Sequence, residues 1–300
     1  METKMNHAFI MQVHTFPEQF GNIVKLLASS NHFFFINVDK KVKDLSPFRE
    51  AVKDIPNVFF LQKRISVTHG GFSQIECTLS LLTMALNNSV HMDYFHSLSG
   101  MDYPCLRNDE FDKIFEDSTR SYMFFDSPEQ VVQWRNEKYT ERVDCFDFRD
   151  TISSNFLPIK AIRIIIGIIV SKLIKRNKIE HLYAGWSWFS WHRNVVEYVF
   201  DYLKRNPKYY QRFRYTWNTD ELIFHTFLFD QAETLNIEKY NALRFIVWKP
   251  KREAKTLPLV LDEREYSEIV NSKAILCRKI HPKISHKLIK MLQQKIAINN

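Results

Sequence analysis

Ser97-Leu98-Ser99-Gly100-Met101-Asp102-Tyr103-Pro104 ends an apolar run and places a lone carboxylate on a tight turn between Gly and Pro. The run that feeds it, Tyr94 to Leu98, has the length and composition of a buried strand. Three similar runs precede it: Ala8 to His14, His32 to Val38 and Val58 to Leu61. Between them, Pro17 to Ser29 carries Phe20, Ile23, Val24 and Leu27 at helical spacing, with Thr15 as its cap. Ser73 to Leu86 aligns Ile75, Leu79, Leu82 and Leu86 on one helical face. Strands alternating with helices predict parallel strands joined by crossovers. Such sheets take ligands beyond the carboxyl ends of their strands. His14, Asp39 and Asp102 each follow an apolar run, so the topology brings them to one crevice. Capping of their own loops is the other use of such residues.

Composition narrows the class. A chain of 300 residues, 45% hydrophobic and 25% charged, holds a full core in one large domain or two tightly joined ones. Only 6 Gly, and neither glycine fingerprint, argue against a Rossmann dehydrogenase or a P-loop enzyme. The net charge of +8 favours an anionic partner: a nucleotide diphosphate, a nucleic acid or an acidic membrane surface. Cys77, Cys105, Cys145 and Cys277 are dispersed, without zinc spacing, and read as reduced thiols of a cytoplasmic protein. Met1 to Phe16 holds no apolar leader.

The second half is less regular. From Glu129 to Asp150 the chain is polar and aromatic and settles on no element. Ile179 to Trp191 reads as a return to the sheet, and Val195 to Arg205 and Asp220 to Phe229 read as helices. A Pro- and Lys-rich loop, Lys249 to Pro258, precedes further helical segments. The segment 159–178 mixes isoleucines with Lys160, Arg163, Lys172, Lys175, Arg176 and Lys178. Its longest apolar tract, Ala161 to Ile174, falls short of the roughly 20 residues that span a bilayer. As a helix it suits either an anionic membrane interface or a core edge with solvated cations.

Several residue groups can carry chemistry. In Asn218-Thr219-Asp220-Glu221, Asn218 and Glu221 have the spacing of a capping box before Leu222 to Phe229. The pattern alone favours the cap over the other use of Glu221, a general base for a hydroxyl. Gly70-Gly71-Phe72-Ser73 opens the long helix, where free N–H groups meet phosphate. Arg278-Lys279 reads as an anion site or a solvated pair. Trp186, Trp188, Trp191 and Trp248 read, from the residues alone, as core packing.

Taken in order, Val38-Asp39-Lys40-Lys41, Gly70-Gly71-Phe72-Ser73, Ser99-Gly100-Met101-Asp102-Tyr103-Pro104, Gly185-Trp186-Ser187-Trp188-Phe189, Asp220-Glu221 and Arg278-Lys279-Ile280 are similar to the motifs of one family. The chain resembles core-2/I-branching N-acetylglucosaminyltransferases, glycosyltransferase family 14, of bacterial type, from about His7 to about Pro282. The resemblance implies an α/β, GT-A type fold, a mixed, mainly parallel sheet flanked by helices. It implies one domain over residues 1–300, with a nucleotide-sugar half to about residue 125 and an acceptor half with C-terminal helices from about residue 126.

The implied reaction is inverting transfer of a sugar, N-acetylglucosamine from its UDP form, to a hydroxyl of a glycan or lipid-linked glycan. Glu221 would be the base. His14, Asp39, Gly71, Ser99, Gly100, Asp102, Arg278 and Lys279 would serve the donor, and Trp186, Trp188 and Trp248 the acceptor. Basic groups, Lys279 and a partner in the Lys249 to Lys255 loop, would replace a metal at the diphosphate, and no cofactor is implied. The chain holds no Asp-x-Asp. His69 stands where the family has Trp, and Trp186 where it has Ser. Ser187 stands where the xylosyltransferase branch carries its acid, which disfavours the protein xylosyltransferase version and leaves UDP-xylose or another UDP-sugar open as donor. The expected setting is cytoplasmic, with peripheral contact of 159–178 on the inner face of the membrane. The rival outside enzymes, a basic nucleic-acid-binding protein, lacks any RNA-binding signature.

Overall fold

Three of the four early apolar runs pair side by side with β1 (His7–Val13) or its neighbour. In the computed structural model, β1 lies between β2 (His32–Val38) and β4 (Tyr94–Ser99), parallel to both, and β2 pairs in parallel with β3 (Val58–Phe60). The structure describes residues 4–126, 139–154, 156–177, 179 and 181–297. With β6 (Ser121–Phe125), β7 (Gly185–His192) and β8 (Ile237–Glu238), the sheet runs β3-β2-β1-β4-β7-β6-β8. β7 is antiparallel to β4 and β6, and β8 is parallel to β6, so the sheet is mixed and mainly parallel, as expected.

Every residue of β2 is buried, as in a strand covered on both faces. Alternate residues serve the two faces. Ala8, Ile10, Phe33 and Phe35 join Ile75, Leu81 and Leu82 of α3 (Ser73–Leu86) in one core. Phe9, Met11, Phe34 and Ile36 join Phe20, Ile23 and Val24 of α1 (Pro17–Leu27) and Phe111 and Phe115 of α4 (Asn108–Phe115) in the other. Thr15 does not cap α1. Phe16 takes the cap position at φ 54 without a side-chain bond, and Pro17 starts the helix.

A second sheet was not foreseen. β5 (Asp102–Pro104) pairs antiparallel with β10 (Leu276–Arg278), which pairs in parallel with β9 (Arg244–Ile246). Arg278 therefore ends a strand, where the sequence suggested helical segments. Three-residue strands carry no periodicity to read.

The remaining helices are α2 (Ser46–Glu50), α5 (Tyr139–Asp144), α6 (Leu157–Leu173), α7 (Arg193–Arg205), α8 (Pro207–Arg212), α9 (Ile223–Leu228), α10 (Tyr266–Asn271) and α11 (His286–Ala297). The expected helix Asp220 to Phe229 is broken: Thr219–Glu221 form a 3-10 turn, Leu222 departs at φ −127, and α9 follows. Asn218 sits at φ 49 with no capping bond, so the capping box is not formed. Lys178 and part of the Glu129 to Asp150 stretch lie outside the described residues. Among the described residues, no helix is long and apolar enough to cross a membrane.

Candidate active site

The carboxyl ends of β1, β2 and β4 carry His14, Asp39 and the Ser99–Asp102 turn to one edge of the sheet, since these strands run parallel in register. At that turn Asp102 is fully buried. Its Oδ2 accepts the Ser99 N–H at 2.6 Å and the Ser99 hydroxyl at 2.8 Å. Arg278 Nη1 reaches the same oxygen at 3.1 Å and Ser99 Oγ at 2.7 Å. The Arg278 guanidinium also lies 4.2 Å over the Trp188 ring. Gln19 Nε2 donates to the Gly100 carbonyl at 2.6 Å and to that of Ile280 at 3.3 Å, strapping the turn to the chain after β10.

Arg278 is held as a strut between Asp102, Ser99 and Trp188, so Trp188 shares its ring with this basic group. Lys279, next along, is half-buried, and burial and Arg278 both lower its ammonium pKa. In the Lys249 to Lys255 loop, Arg252 is taken up by Asp262 at 3.0 Å and Glu265 at 3.1 Å. Asp39 is buried, and its carboxylate accepts the N–H groups of Lys41 and Val67 at 2.8 and 3.2 Å, the bonding of a turn-forming Asp. His14 is exposed just past β1.

The Gly70–Gly71 pair works differently from the phosphate site expected of it. The start of α3 is already filled: Asp150 accepts the Ser73 N–H at 2.9 Å and its hydroxyl at 2.7 Å. An acid of the chain itself thus answers the positive helix end. Gly70 lies at φ +67, and a Cβ there would meet Asn218 Oδ1 at 2.2 Å; one on Gly71 would meet Asp150 Oδ1 at 2.3 Å. Both glycines allow backbone to close on side chains of the later loops. Asn218 N–H also bonds the Gly70 carbonyl at 2.8 Å.

That contact sets the Trp217–Glu221 loop in place. Glu221 Oε2 accepts from Arg142 Nη1 at 3.1 Å, and its side chain keeps 18% exposure against 4% for Arg142. Arg142 and Arg149 lie 4.7 and 5.1 Å over the Trp217 ring. Asp220 turns the other way: Ser187 Oγ donates to its Oδ2 at 2.6 Å and Gln74 Nε2 at 3.3 Å, while Oδ1 is buried without a partner. Enclosure of the carboxyl group, then the neighbouring Glu221 charge, raise the Asp220 pKa to about 6.

The Ser187–Asp220 bond joins the loop to β7, whose Trp186 stacks on Phe124 at 4.2 Å and faces Trp248 at 6.4 Å. Trp191 is fully buried against Phe189. His69 closes the circuit. Burial and the Arg149 charge lower its imidazole pKa, Glu221 raises it, and Lys279 and Arg278 lower it further. The base candidate and the basic pair therefore act on one side chain.

Sequence reasoning missed Arg142, Arg149, Asp150 and Trp217, and pattern gave no sign of them. The Ser187 position was singled out, but not its bond to Asp220. Among the described residues, the ligand group His7, His32 and Asp112 could hold a metal ion. His7 and His32 open β1 and β2, at the edge of the sheet away from the crevice.

The fold is α/β, and a carboxylate, cations and tryptophans gather beyond the carboxyl ends of its parallel strands. The chain belongs to the core-2/I-branching enzyme family, whose model matches residues 7–270. It is 29% identical over 113 residues to a human protein named β-1,3-galactosyl-O-glycosyl-glycoprotein β-1,6-N-acetylglucosaminyltransferase 3, covering 36% of this chain and 25% of that protein. A bovine herpesvirus 4 enzyme of the same description, without the number, is 31% identical over 107 residues, covering 34% and 24%. The matched part thus spans about a quarter of these relatives' length. Among solved structures, an active-site mutant of LgtC aligns over 98% of this chain and 96% of its own, at TM-score 0.47 and 9% identity. Mouse xyloside xylosyltransferase 1 aligns over 92% and 97%, at TM-score 0.42 and 8% identity.

Proposed function

We propose that the chain is an inverting glycosyltransferase that moves N-acetylglucosamine from UDP-N-acetylglucosamine to a sugar hydroxyl of a glycan. Glu221 takes the proton of the attacking hydroxyl. Lys279 stabilises charge on the departing diphosphate, with Arg278 adding its field from the strut it forms, and no metal is required. Trp186 and Trp248 form the acceptor wall. The observation that carries the reading is that one strand joins the two groups: Ser187 bonds Asp220 at 2.6 Å, next to Glu221, and Trp188 lies 4.2 Å under the Arg278 guanidinium, next to Lys279. In inverting transfer, base and leaving-group cation belong on opposite sides of one sugar.

The acceptor class extends to glycans carried on lipid. A cytoplasmic setting is part of the same reading, supported by four free cysteines, three of them buried. Residues up to about 125 supply the nucleotide-sugar half, and β10 completes it from the far end of the chain.

Calorimetric titration of UDP-N-acetylglucosamine in EDTA, followed by a transfer assay with an acceptor glycan panel, tests this. Wild type binds donor without metal, Lys279→Ala binds at least about tenfold more weakly, and Glu221→Gln binds donor normally but transfers nothing. Donor binding that requires manganese, or full transfer by Glu221→Gln, overturns the proposal.

A further inference from the structure

α6 turns its apolar side outward. Of the fifteen large apolar side chains exposed among the described residues, ten fall between Phe156 and Ile174. Ile162, Ile165, Ile168 and Ile169 are each 51–55% exposed, and Leu157 and Leu173 reach 75% and 78%. The inward side is narrow. Gly167 is buried, and a Cβ on it would lie 2.5 Å from the Phe146 carbonyl; Ser171 Oγ accepts the Phe146 N–H at 2.8 Å. A water-facing helix normally reverses this pattern. Apolar patches of such extent mark contact surfaces.

Charge selects what covers it. Between Asp150 and Glu180 the sequence has six Lys or Arg and no acid. Lys160, Lys172 and Lys175 are exposed, at the two ends of the helix. A partner covering this face meets the exposed Lys172 and Lys175 at its C-terminal end, and a second copy would bring the same cations with it. An anionic lipid surface presents the opposite sign to both ends and hydrocarbon to the middle. At about 1.5 Å per residue the 17-residue helix is roughly 26 Å long, enough to lie along an interface and too short to cross it with both ends solvated.

We propose that α6 is an interfacial anchor that lies in the plane of an anionic phospholipid surface, its Ile162–Ile165–Ile169 side among the acyl chains. This deepens the proposed function and rests on it for one consequence. Arg176, just past the helix, donates to the Cys145 and Tyr215 carbonyls at 2.9 and 3.2 Å and to that of Arg212. Asp147 N–H bonds the Tyr215 carbonyl at 2.8 Å. Tyr215 leads directly into Trp217 and Glu221. The anchor is thus fastened to the stretch that carries the base, which meets a glycan whose lipid stays in the same surface.

The test is vesicle sedimentation of the full chain with phosphatidylcholine alone and with added phosphatidylglycerol, beside transfer to a soluble glycan. Wild type partitions to the anionic vesicles and releases in high salt. Ile162→Ser/Ile165→Ser/Ile169→Ser lowers partitioning on the order of 100-fold, while Leu at the same three positions retains it. Lys160→Gln/Lys172→Gln/Lys175→Gln loses on the order of 100-fold for anionic vesicles, about fivefold per cation. Soluble-acceptor transfer is unchanged in all three variants, so failure of the anchor and failure of the transferase reading separate. Equal sedimentation of the Ser variant overturns the anchor. So does a wild-type dimer that ignores vesicles and becomes monomeric in the Ser variant, which assigns the face to a second copy.

Discussion

Replacing Asp220 by Asn should change how stability depends on pH, in a direction the structure fixes. In the folded chain the Asp220 carboxyl is enclosed, takes the Ser187 hydroxyl at 2.6 Å, and leaves Oδ1 without a partner beside Glu221. Its pKa rises from 3.8 to about 6. Below about pH 4 folded and unfolded chains both hold the proton; between there and about pH 6 only the folded chain does; above that neither does. A group whose folded pKa is raised contributes stability at low pH that is lost as pH rises through this window. The gap is worth roughly 3 kcal/mol, at about 1.4 kcal/mol per pH unit. Asn keeps the size and an acceptor for Ser187 but cannot ionise. Wild type and Asp220→Asn should therefore be similarly stable at pH 4, and the variant should gain up to about 3 kcal/mol on wild type by pH 7. Urea unfolding of both proteins at half-unit steps from pH 4 to pH 7.5 reads this directly. Parallel stability curves with a constant offset would refute the reasoning, because they would mean Asp220 ionises alike folded and unfolded.

Arg278→Met leaves the fully buried Asp102 carboxylate without its cation. It should cost about 3–5 kcal/mol in urea unfolding, with much of that regained in the Asp102→Asn/Arg278→Met double variant; equal losses in single and double variants would show that the pair is not coupled. Gly185→Ala places a Cβ 1.9 Å from the Phe124 carbonyl and 2.7 Å from His225. Thermal unfolding should show a loss of about 3 kcal/mol or more, and a melting temperature matching wild type would mean that β6 and β7 do not approach there.

What was legible in the sequence follows physical rules. β1 to β4 were readable because strands covered on both faces must be continuous apolar runs, and α3 because one face repeats every three to four residues. The convergence of His14, Asp39 and Asp102 followed from the same topology. β10 was invisible because three residues cannot show a period, and so its Arg278 was placed among helical segments. The cap of α3 was hidden for another reason: its acid, Asp150, lies 77 residues from Ser73. Arg142 reaches Glu221 across 79 residues, with no pattern at the arginine to announce the pair. Local chemistry was legible; closure between distant loops was not.

The small sheet has a consequence for synthesis. β10 is its middle strand, hydrogen-bonded to β5 on one side and β9 on the other. Yet it leaves the ribosome after both, and after every strand of the large sheet. Until it arrives, β5 and β9 have no partner in that sheet and Asp102 lacks the guanidinium that answers its buried charge. A nascent chain stopped before residue 276 carries the large sheet and Glu221 but neither Arg278 nor Lys279. The small sheet and the Arg278–Asp102 pair are thus finished last, after the large sheet and the loop that carries Glu221.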